Sequence, residues 1–527
     1  MQWLWYSTGR QMGRDEERGI GVRRLGVLLG VVALATSARA APAADLKAQI
    51  QQYRATHEAA IVGQLAELVS LESVAANPAG LAATADRLQG LLRARGFEAT
   101  QLSSSSGMPP VVFGTLKTAG AKRTVVFYAH YDGQPVTPSQ WRSEPFTPVM
   151  RSGQPGGDVD WKTFKGHFDP EWRLFGRAAS DDKASIVAFL AAFDALGSSG
   201  HLPSVNIKVV WEGEEEANST HLEATLRQYQ ALCTADLWLI GDAPVHQSRH
   251  QMLYFGARGN LGVEATIYGP LRALHDGHYG NWVPNPAFLA AEFLTELRNT
   301  EGKILIPGFL DDVRALSPAE RNAIAELPPV EEALKREFGI GRSETAEGLS
   351  ASTMRPALNV RGIRSGQVGA ERTNSIPIDA VISMDFRLVP DQTPASVRAK
   401  VESFLRAKGW TLVSEPPDLA TRLASARVVQ LSWEGGYRAL RTDMTTPVAT
   451  AVIATATRSA GHHVALLPMM GGSVPLYLID EVFRVPVIGL PIVNHDNNQH
   501  AANENLRLQN LWDGIEMYAA MMSDLSW

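Results

Sequence analysis

The stretch that decides the fold is TVVFYA at residues 124–129, an apolar run that ends directly at polar residues. A helical stretch begins at Ser180, and two further apolar runs follow at residues 205–211 and 237–240. Strands that alternate with helices indicate an α/β layer with a largely parallel sheet. We expect Ser180 to cap its helix, because short polar side chains accept hydrogen bonds from free backbone N–H groups at helix starts.

The pattern changes in the middle of the chain. From about residue 252, strand-like pieces and a polar stretch at residues 316–353 replace the regular alternation, which returns after about residue 441. An α/β domain that is interrupted by an inserted α+β domain explains this order. The predicted division is a signal peptide at residues 1–40, an α/β domain formed by residues 41–250 and 441–527, and an inserted domain at residues 251–440.

A secretory leader is predicted near the start of the chain. Arg23 and Arg24 precede an uncharged apolar run at residues 25–36, and the small residues Ala38 and Ala40 follow. This order is typical of a secretory signal, and the run of 12 residues is shorter than the ~20 that a membrane-spanning helix needs. We expect cleavage near Ala40 and a secreted or periplasmic protein without a transmembrane segment.

The composition excludes several classes of protein. Apolar residues make up 45% and charged residues 20% of the 527 positions, which suits a large folded core. The net charge of −6 provides no basic field that would attract nucleic acid. Cys233 is the only cysteine, so an intramolecular disulfide and a cysteine-ligated zinc site are excluded. A metal site in this chain must therefore use His, Asp and Glu.

Polar side chains follow four apolar runs of the chain and also occupy the start of the helix near Ser180. Ligands of open α/β sheets bind beyond the carboxyl ends of the strands, so these side chains can converge. Several carboxylates in one crevice oppose ionisation unless cations neutralise them. The set comprises His130, Asp132, Asp181, Glu214 to Glu216, Asp242 and His500.

Four ordered motifs carry a resemblance to a known family. They are Ala129-His130-Tyr131-Asp132-Gly133-Gln134-Pro135, Gly176-Arg177-Ala178-Ala179-Ser180-Asp181-Asp182-Lys183, Glu212-Gly213-Glu214-Glu215-Glu216-Ala217-Asn218-Ser219 and His500-Ala501-Ala502-Asn503-Glu504. They resemble motifs of the dizinc peptidase family of carnosinase, carboxypeptidase G, acetylornithine deacetylase and succinyl-diaminopimelate desuccinylase, with the carnosinase-like dipeptidase branch closest. The resemblance implies a three-layer α/β/α catalytic domain, interrupted by an α+β lid and dimerisation domain.

The resemblance also implies a pair of divalent metal ions, zinc in the family, although cobalt and manganese accept the same N and O ligands. His130 and Asp242 would bind one ion, Glu216 and His500 the other, and Asp181 would bridge both.

Two further acidic residues take supporting roles in the same resemblance. Glu215 matches the general base of the family, and Asp132 matches the residue that orients His130. A slip of one residue within Glu214 to Glu216 would exchange the roles of base and ligand.

Residues of the inserted domain resemble substrate-binding elements. His275 matches a histidine that stabilises the developing oxyanion, often in the neighbouring subunit's site, which implies a functional homodimer. Arg387 matches an arginine that holds the substrate carboxylate with its fork of N–H donors, with a plain surface ion pair as the alternative. Gly472 and Ser473 lie in a segment that resembles a substrate-side loop.

The chain departs from the family pattern at several positions without losing a ligand. Ala178, Ala184 and Asn218 stand where the family usually has glycine, and Leu274 precedes His275 where aspartate is usual. Loop geometry and substrate choice can therefore differ, because a side chain narrows the conformational freedom of the backbone.

These features together predict an exported metal-dependent exopeptidase that hydrolyses the amide bond next to a free C-terminal carboxylate in dipeptides or short peptides. The metal pair would activate a water molecule, and Glu215 would take its proton and return it to the leaving amine. An N-acyl amino acid deacylase with the same site is one alternative, and a secreted binding protein without turnover is another. The expected partners are such a small substrate and a second copy of the chain.

Overall fold

The structure is a computed structural model in which residues 43–472, 474 and 476–527 are described, so that the predicted signal peptide and Ser473 lie outside the described residues. The strands of these residues are β1 (Glu98–Leu102), β2 (Val111–Leu116), β3 (Thr124–His130), β4 (Val149–Arg151), β5 (Arg173–Phe175), β6 (Asn206–Glu212), β7 (Leu237–Ile240), β8 (Met252–Tyr254), β9 (Gly256–Ala257), β10 (Gly259–Tyr268), β11 (Leu274–His275), β12 (Ala357–Arg364), β13 (Ser375–Ile376), β14 (Asp379–Leu388), β15 (Thr411–Val413), β16 (Val428–Tyr437), β17 (Leu440–Arg441), β18 (Ala465–Leu467), β19 (Val487–Gly489) and β20 (Asn505–Arg507).

The α-helices of the same residues are α1 (Ala43–Ser70), α2 (Pro78–Ala94), α3 (Lys183–Ser198), α4 (Leu222–Gln228), α5 (Gln230–Cys233), α6 (Asp276–Tyr279), α7 (Pro286–Leu297), α8 (Pro318–Ala325), α9 (Glu331–Phe338), α10 (Leu349–Thr353), α11 (Pro394–Ala407), α12 (Leu419–Ala424), α13 (Pro447–Ala460), α14 (Leu476–Phe483) and α15 (Leu508–Ser523). Among the residues that the structure describes, no helix has both the length and the hydropathy to span a membrane.

An eight-stranded sheet forms the main layer, in the order β1-β2-β6-β3-β7-β19-β8-β18. Its centre is parallel, because β3 pairs in parallel with β6 and β7, and β19 pairs in parallel with β7. β1 and β2 pair antiparallel at one edge, and β19 meets β8 antiparallel. The predicted α/β fold class is confirmed, with a mixed sheet that has parallel pairs at its centre and a further parallel pair, β8 with β18, at one edge.

Both faces of this sheet are buried, as alternate residues of β3 show. Val125 and Phe127 pack in one core cluster with residues of α1, α3 and α15, whereas Val126 and Tyr128 pack in another with residues of α4 and α14. Successive side chains of a strand point to opposite faces, so helices cover both sides of the sheet. The architecture is therefore three layers, α/β/α.

The helix that follows the Ser180 motif starts later than the sequence predicts. α3 begins at Lys183, and its N-cap position is Asp182, whose side chain makes no capping hydrogen bond. The predicted cap at Ser180 is wrong, because the Ser180 N–H and hydroxyl both donate to the buried carboxylate of Glu504, each at 2.9 Å. A tertiary contact has replaced the local one.

A second sheet has five strands in the order β12-β14-β10-β16-β15. Every second residue of β10 and β14 is buried against one face, where α7 and α11 contribute Phe293 and Val401 to a shared core cluster. One row across this sheet joins Arg387 to Asn260 and Asn260 to Tyr437 as directly paired residues. Paired residues share a face, so these three side chains lie on the face opposite to the helices.

The second sheet lies wholly within residues 259–437, inside the predicted inserted domain at residues 251–440. β8, at Met252–Tyr254, belongs instead to the eight-stranded sheet, where it pairs with β18. The four-part division of the chain stays a prediction.

Close packing at Gly489 provides a test of this fold. A Cβ atom at Gly489 would lie 2.0 Å from the ring of Tyr254, whose hydroxyl donates to the Asp242 carbonyl at 3.0 Å. We predict that Gly489→Ala lowers the free energy of unfolding by about 1–3 kcal/mol, the usual cost of overpacking. The control is Gly90→Ala in α2, where a Cβ meets no atom within 4 Å and which should raise stability by about 0.5–1 kcal/mol. Urea denaturation measures both, and equal effects would contradict the packing at Gly489.

Candidate active site

The site lies where the central strands of the eight-stranded sheet end. His130 is the last residue of β3, Asp242 follows β7, and His500 lies between β19 and β20. Asp181 precedes α3, and Glu215 and Glu216 begin a 3-10 turn just after β6. The parallel strands therefore bring together all five predicted ligands and the predicted base.

Asp181 occupies the centre of this group, between two histidines. Its Oδ1 atom is 3.0 Å from His130 Nε2, and its Oδ2 atom is 3.1 Å from His500 Nε2. Glu216 Oε2 is 3.3 Å from the same nitrogen of His500. The two oxygens of one carboxylate thus face two different imidazoles, the arrangement that a bridging carboxylate requires.

Two sets of donor atoms are close enough to hold one cation each. The first set is His130, Glu215 and Asp242, and the second is Asp181, Glu216 and His500, with the donor atoms of each set within 4.8 Å of one another. Because Asp181 also contacts His130, the two sets adjoin. The resemblance assigned Glu215 the role of base and left the role of ligand open through a slip of one residue. Its position beside His130 and Asp242 is compatible with both roles.

Asp132 connects the histidine to the acidic loop. Its Oδ1 atom is 3.3 Å from His130 Nδ1, and its two carboxylate oxygens accept the backbone N–H groups of Glu215 at 3.2 Å and Glu216 at 3.0 Å. Gln134 holds the same loop by donating to Glu216 Oε2 at 2.7 Å. Asp132 therefore fixes two neighbouring side chains as well as the ring of His130.

The carboxylates of the site are buried and repel one another. Burial, together with the negative charge of Asp181, raises the pKa of Glu216 to about 7 and the pKa of Asp242 to about 6. Burial likewise raises the pKa of Glu215 well above its usual value. Burial also opposes the charge of Asp181, but hydrogen bonds from His130 and His500 outweigh it and lower the pKa. This crowding of negative charge suits bound cations.

Glu504 is a further residue of the site, and the sequence motifs did not assign it a role. Its fully buried carboxylate accepts hydrogen bonds from Arg177 Nη1 at 2.8 Å and from the backbone N–H groups of Ala178 at 3.0 Å and Asp181 at 3.0 Å, besides the two donors of Ser180. It thereby holds the backbone on which Asp181 is mounted. The only signal in the sequence was its place in the motif that begins at His500.

Two of the departures from glycine coincide with unusual backbone. Ala178 has φ +62° and Asn218 has φ +68°, in the left-handed region that favours glycine. Asparagine tolerates this region better than alanine, which incurs roughly 1–2 kcal/mol there. Ala184 lies inside α3 and has no such constraint. The family's glycines at the first two positions thus have a structural reason, and this chain maintains the conformation without them.

Of the predicted substrate residues, Arg387 and Gly472 lie near one another, joined by Arg258. Arg387 Nε donates to Asp385 at 2.7 Å, while Arg258 donates to the carbonyls of Gly471 at 3.0 Å and Gly472 at 3.3 Å. Burial, together with the nearby charge of Arg387, lowers the pKa of Arg258 to about 10. The sequence did not single out Arg258.

His275 does not join the metal-site residues. It is exposed, and its Nδ1 atom accepts the N–H of Gly277 at 3.1 Å while its ring lies 4.6 Å from that of His278. Neither set of potential metal ligands among the described residues includes it. Its predicted role in a neighbouring subunit stays a prediction.

A three-layer fold with adjoining clusters of His, Asp and Glu at the strand ends defines a metal-dependent hydrolase class, and comparison with known proteins specifies the family. Residues 126–524 match Peptidase family M20/M25/M40, and the chain belongs to this family. The resemblance that the motifs indicated is confirmed.

Named relatives span most of the chain. The Cys-Gly metallodipeptidase dug1 of Schizosaccharomyces pombe is 26% identical over 443 residues, covering 80% of this chain and 83% of the relative. The Beta-Ala-His dipeptidase of Mus musculus is 26% identical over 502 residues, covering 89% of this chain and 94% of the relative. Among solved structures, the M20 family metallo-carboxypeptidase Sso-CP2 of Sulfolobus solfataricus has a TM-score of 0.71 at 26% identity, covering 88% of this chain and 98% of its own. Human carnosine dipeptidase 1 shares the fold, with a TM-score of 0.71 at 22% identity, covering 91% of this chain and 98% of its own.

The position of Glu504 gives a testable prediction. Glu504→Gln replaces an acceptor oxygen by an N–H₂ group that faces N–H donors, so the backbone at Asp181 should shift. We predict that zinc affinity falls about 10- to 100-fold, the usual effect of losing a partner behind a ligand. Competition with a chromophoric chelator measures it, with exposed Glu371→Gln as the matched control. Wild-type affinity in a folded Glu504→Gln variant would disprove this role.

Proposed function

We propose that this chain is a metal-dependent dipeptidase that hydrolyses the amide bond next to a free C-terminal carboxylate. The observation that carries the proposal is the position of Asp181, whose two oxygens face His130 and His500 within a single group of acidic side chains. The dipeptidase names of relatives that cover most of the chain point to the same substrate class.

The donor set fits a pair of divalent cations. Imidazole nitrogens and carboxylate oxygens suit zinc, cobalt or manganese, and the buried carboxylates need positive charge to stay ionised. In this proposal His130 and Asp242 would hold one ion, Glu216 and His500 would hold the other, and Asp181 would be a ligand that both share. When bound, such ions supply Lewis-acid charge that polarises a carbonyl group and acidifies water.

Glu215 is the proposed general base. Burial raises its pKa, so its carboxylate accepts a proton more readily than an exposed glutamate does. Asp132 accepts the Glu215 N–H at 3.2 Å and so orients this side chain from the backbone. In the proposed reaction Glu215 removes a proton from the attacking water and returns it to the leaving amine, while Arg387 binds the substrate carboxylate through its N–H fork.

We further propose that the active form is a homodimer joined around His275. Large apolar side chains are exposed in the segments that precede and follow the paired strands β11 and β13, and β12 is an edge strand with mostly exposed residues. Exposed apolar patches of this kind mark protein interfaces. A second copy of the chain would cover the patch and receive His275 from its neighbour. The patch consists of Leu271, Trp282, Phe288, Val368 and Ile378.

Paired variants of the acidic loop test the catalytic proposal. We predict that Glu215→Gln lowers kcat by about 10²- to 10⁴-fold, the usual contribution of a general base, yet keeps about two metal ions per chain. Glu216→Gln should lose one ion. Elemental analysis after gel filtration gives the metal content, and rates on dipeptides and N-acetyl amino acids, with and without a chelator, give the activity.

Each outcome of that experiment decides one point. Loss of metal from Glu215→Gln but not from Glu216→Gln would show that Glu215 is the metal ligand and Glu216 the general base. Hydrolysis of N-acetyl amino acids but not of dipeptides would favour a deacylase. Two bound ions in the wild-type protein without hydrolysis of any amide would favour a binding protein, and activity after complete removal of metal would end the proposal.

Complementation tests the dimer. His275→Ala and Glu215→Gln should each be inactive alone, but one site of the mixed dimer combines an intact Glu215 with an intact His275 from the neighbour. Random pairing of equal amounts should restore about a quarter of wild-type activity. Trp282→Asp should weaken the dimer in light-scattering measurements. Absence of complementation in a mixture shown to contain mixed dimers would contradict the exchange of His275.

A further inference from the structure

A cavity of about 250 Å³ adjoins the site at Glu215, and the rest of its lining lies outside the two sets of potential metal ligands. Its wall consists of the loop and helix that follow β6, the end of β16 and the start of α14, which contribute Ser219, Glu223, Tyr437, Tyr477 and Leu478. This volume is below that of pockets for drug-sized ligands, about 300–1,000 Å³, and suits a single side chain. Because Glu215 forms part of the wall, a group in the cavity lies next to the bond that is proposed to break.

The cavity and Arg387 would contact opposite ends of a bound dipeptide. Tyr437 and Arg387 both pair with Asn260, on opposite sides of it, so they are two strands apart in one row. Strands lie about 4.8 Å apart, which makes this separation about 10 Å. An extended dipeptide spans about 7 Å, so its N-terminal residue reaches the cavity when its carboxylate contacts Arg387.

The wall of the cavity is acidic and polar at one end and apolar at the other. Its described residues include two carboxylates, Glu215 and Glu223, and no cationic side chain. Arg227 donates twice to Glu223, at 2.9 Å and 2.7 Å, both times to Oε1, which leaves Oε2 outside this pair. The hydroxyl of Ser219, a residue that is only 3% exposed, is a neighbour of the Glu212 carboxylate, and its oxygen keeps a lone pair that can accept a further hydrogen bond.

The apolar end is formed by Leu478 and two stacked tyrosines. The rings of Tyr437 and Tyr477 are 5.1 Å apart and 12° from parallel. Such rings pack well against methylene groups and attract cations to their faces. Arg438, the residue after Tyr437, is already paired, since it contacts Asp480 at 2.9 Å and Glu481 at 3.1 Å.

We propose that this cavity binds the side chain of the substrate's N-terminal residue and selects one with an apolar stem and a cationic end, as in lysine or arginine. The selection rests on the proposed dipeptidase function and specifies its substrate. The stem packs against Tyr437, Tyr477 and Leu478, and the cationic end contacts Glu223, with the Ser219 hydroxyl as an additional acceptor.

The test compares Lys-Gly with norleucyl-Gly, which has a similar apolar stem without the ammonium group. We expect the zinc-loaded wild-type protein to hydrolyse Lys-Gly with a kcat/KM about fivefold higher, the effect of one partly exposed ion pair. Glu223→Gln should reduce this ratio to about one, whereas Glu98→Gln, at an exposed position of β1, should keep it. A ratio of two substrates on one preparation does not depend on the folded fraction.

The outcomes separate this inference from the proposed function. Hydrolysis of both dipeptides at equal rates would overturn the inference and leave the dipeptidase proposal intact, whereas hydrolysis of neither would overturn the dipeptidase proposal itself. A lysine preference that survives Glu223→Gln would remove Glu223 from recognition. The reversed dipeptides, Gly-Lys and Gly-norleucine, are compared in the same way. If Gly-Lys is preferred over Gly-norleucine while Lys-Gly is not preferred over norleucyl-Gly, the cavity binds the C-terminal side chain, which would contradict the assignment.

Discussion

The structure depends on keeping several buried carboxylates together at one edge of a sheet. Burial and mutual repulsion raise the pKa values of Glu215, Glu216 and Asp242, so the group is unfavourable unless positive charge and hydrogen bonds compensate. Two other carboxylates provide rigid support, because Asp132 and Glu504 accept backbone N–H groups from the segments that present the ligands. The hydrogen bonds that fold these segments are therefore the same ones that hold the charged side chains together.

Much of this arrangement could be predicted from local pattern. The apolar runs at residues 124–129 and 237–240 correspond closely to β3 and β7, and the polar residues that follow them meet because parallel strands end at one edge. The start of α3 could not be predicted in the same way. Its expected cap, Ser180, bonds instead to Glu504, 324 residues further along the chain, and no local pattern encodes such a contact.

The ligand set and fold of a family do not determine which substrate a member hydrolyses, since one fold serves many reactions. Relatives of this chain include a Cys-Gly metallodipeptidase and a Beta-Ala-His dipeptidase, whose names specify different dipeptides. Residues beyond the ligand set must therefore make the distinction. In this chain Arg387 and Tyr437 stand in a single row of the second sheet, so in the proposed complex one rigid element would contact the substrate at two points.

The long reach of the Glu504 contacts has a consequence for biosynthesis. Translation proceeds from the N-terminus, so His500 and Glu504 leave the ribosome long after Asp181. Asp181 lacks its backbone support and one of its imidazole neighbours until that moment. A nascent chain that still lacks residues 500–504 therefore cannot assemble the group of side chains around Asp181.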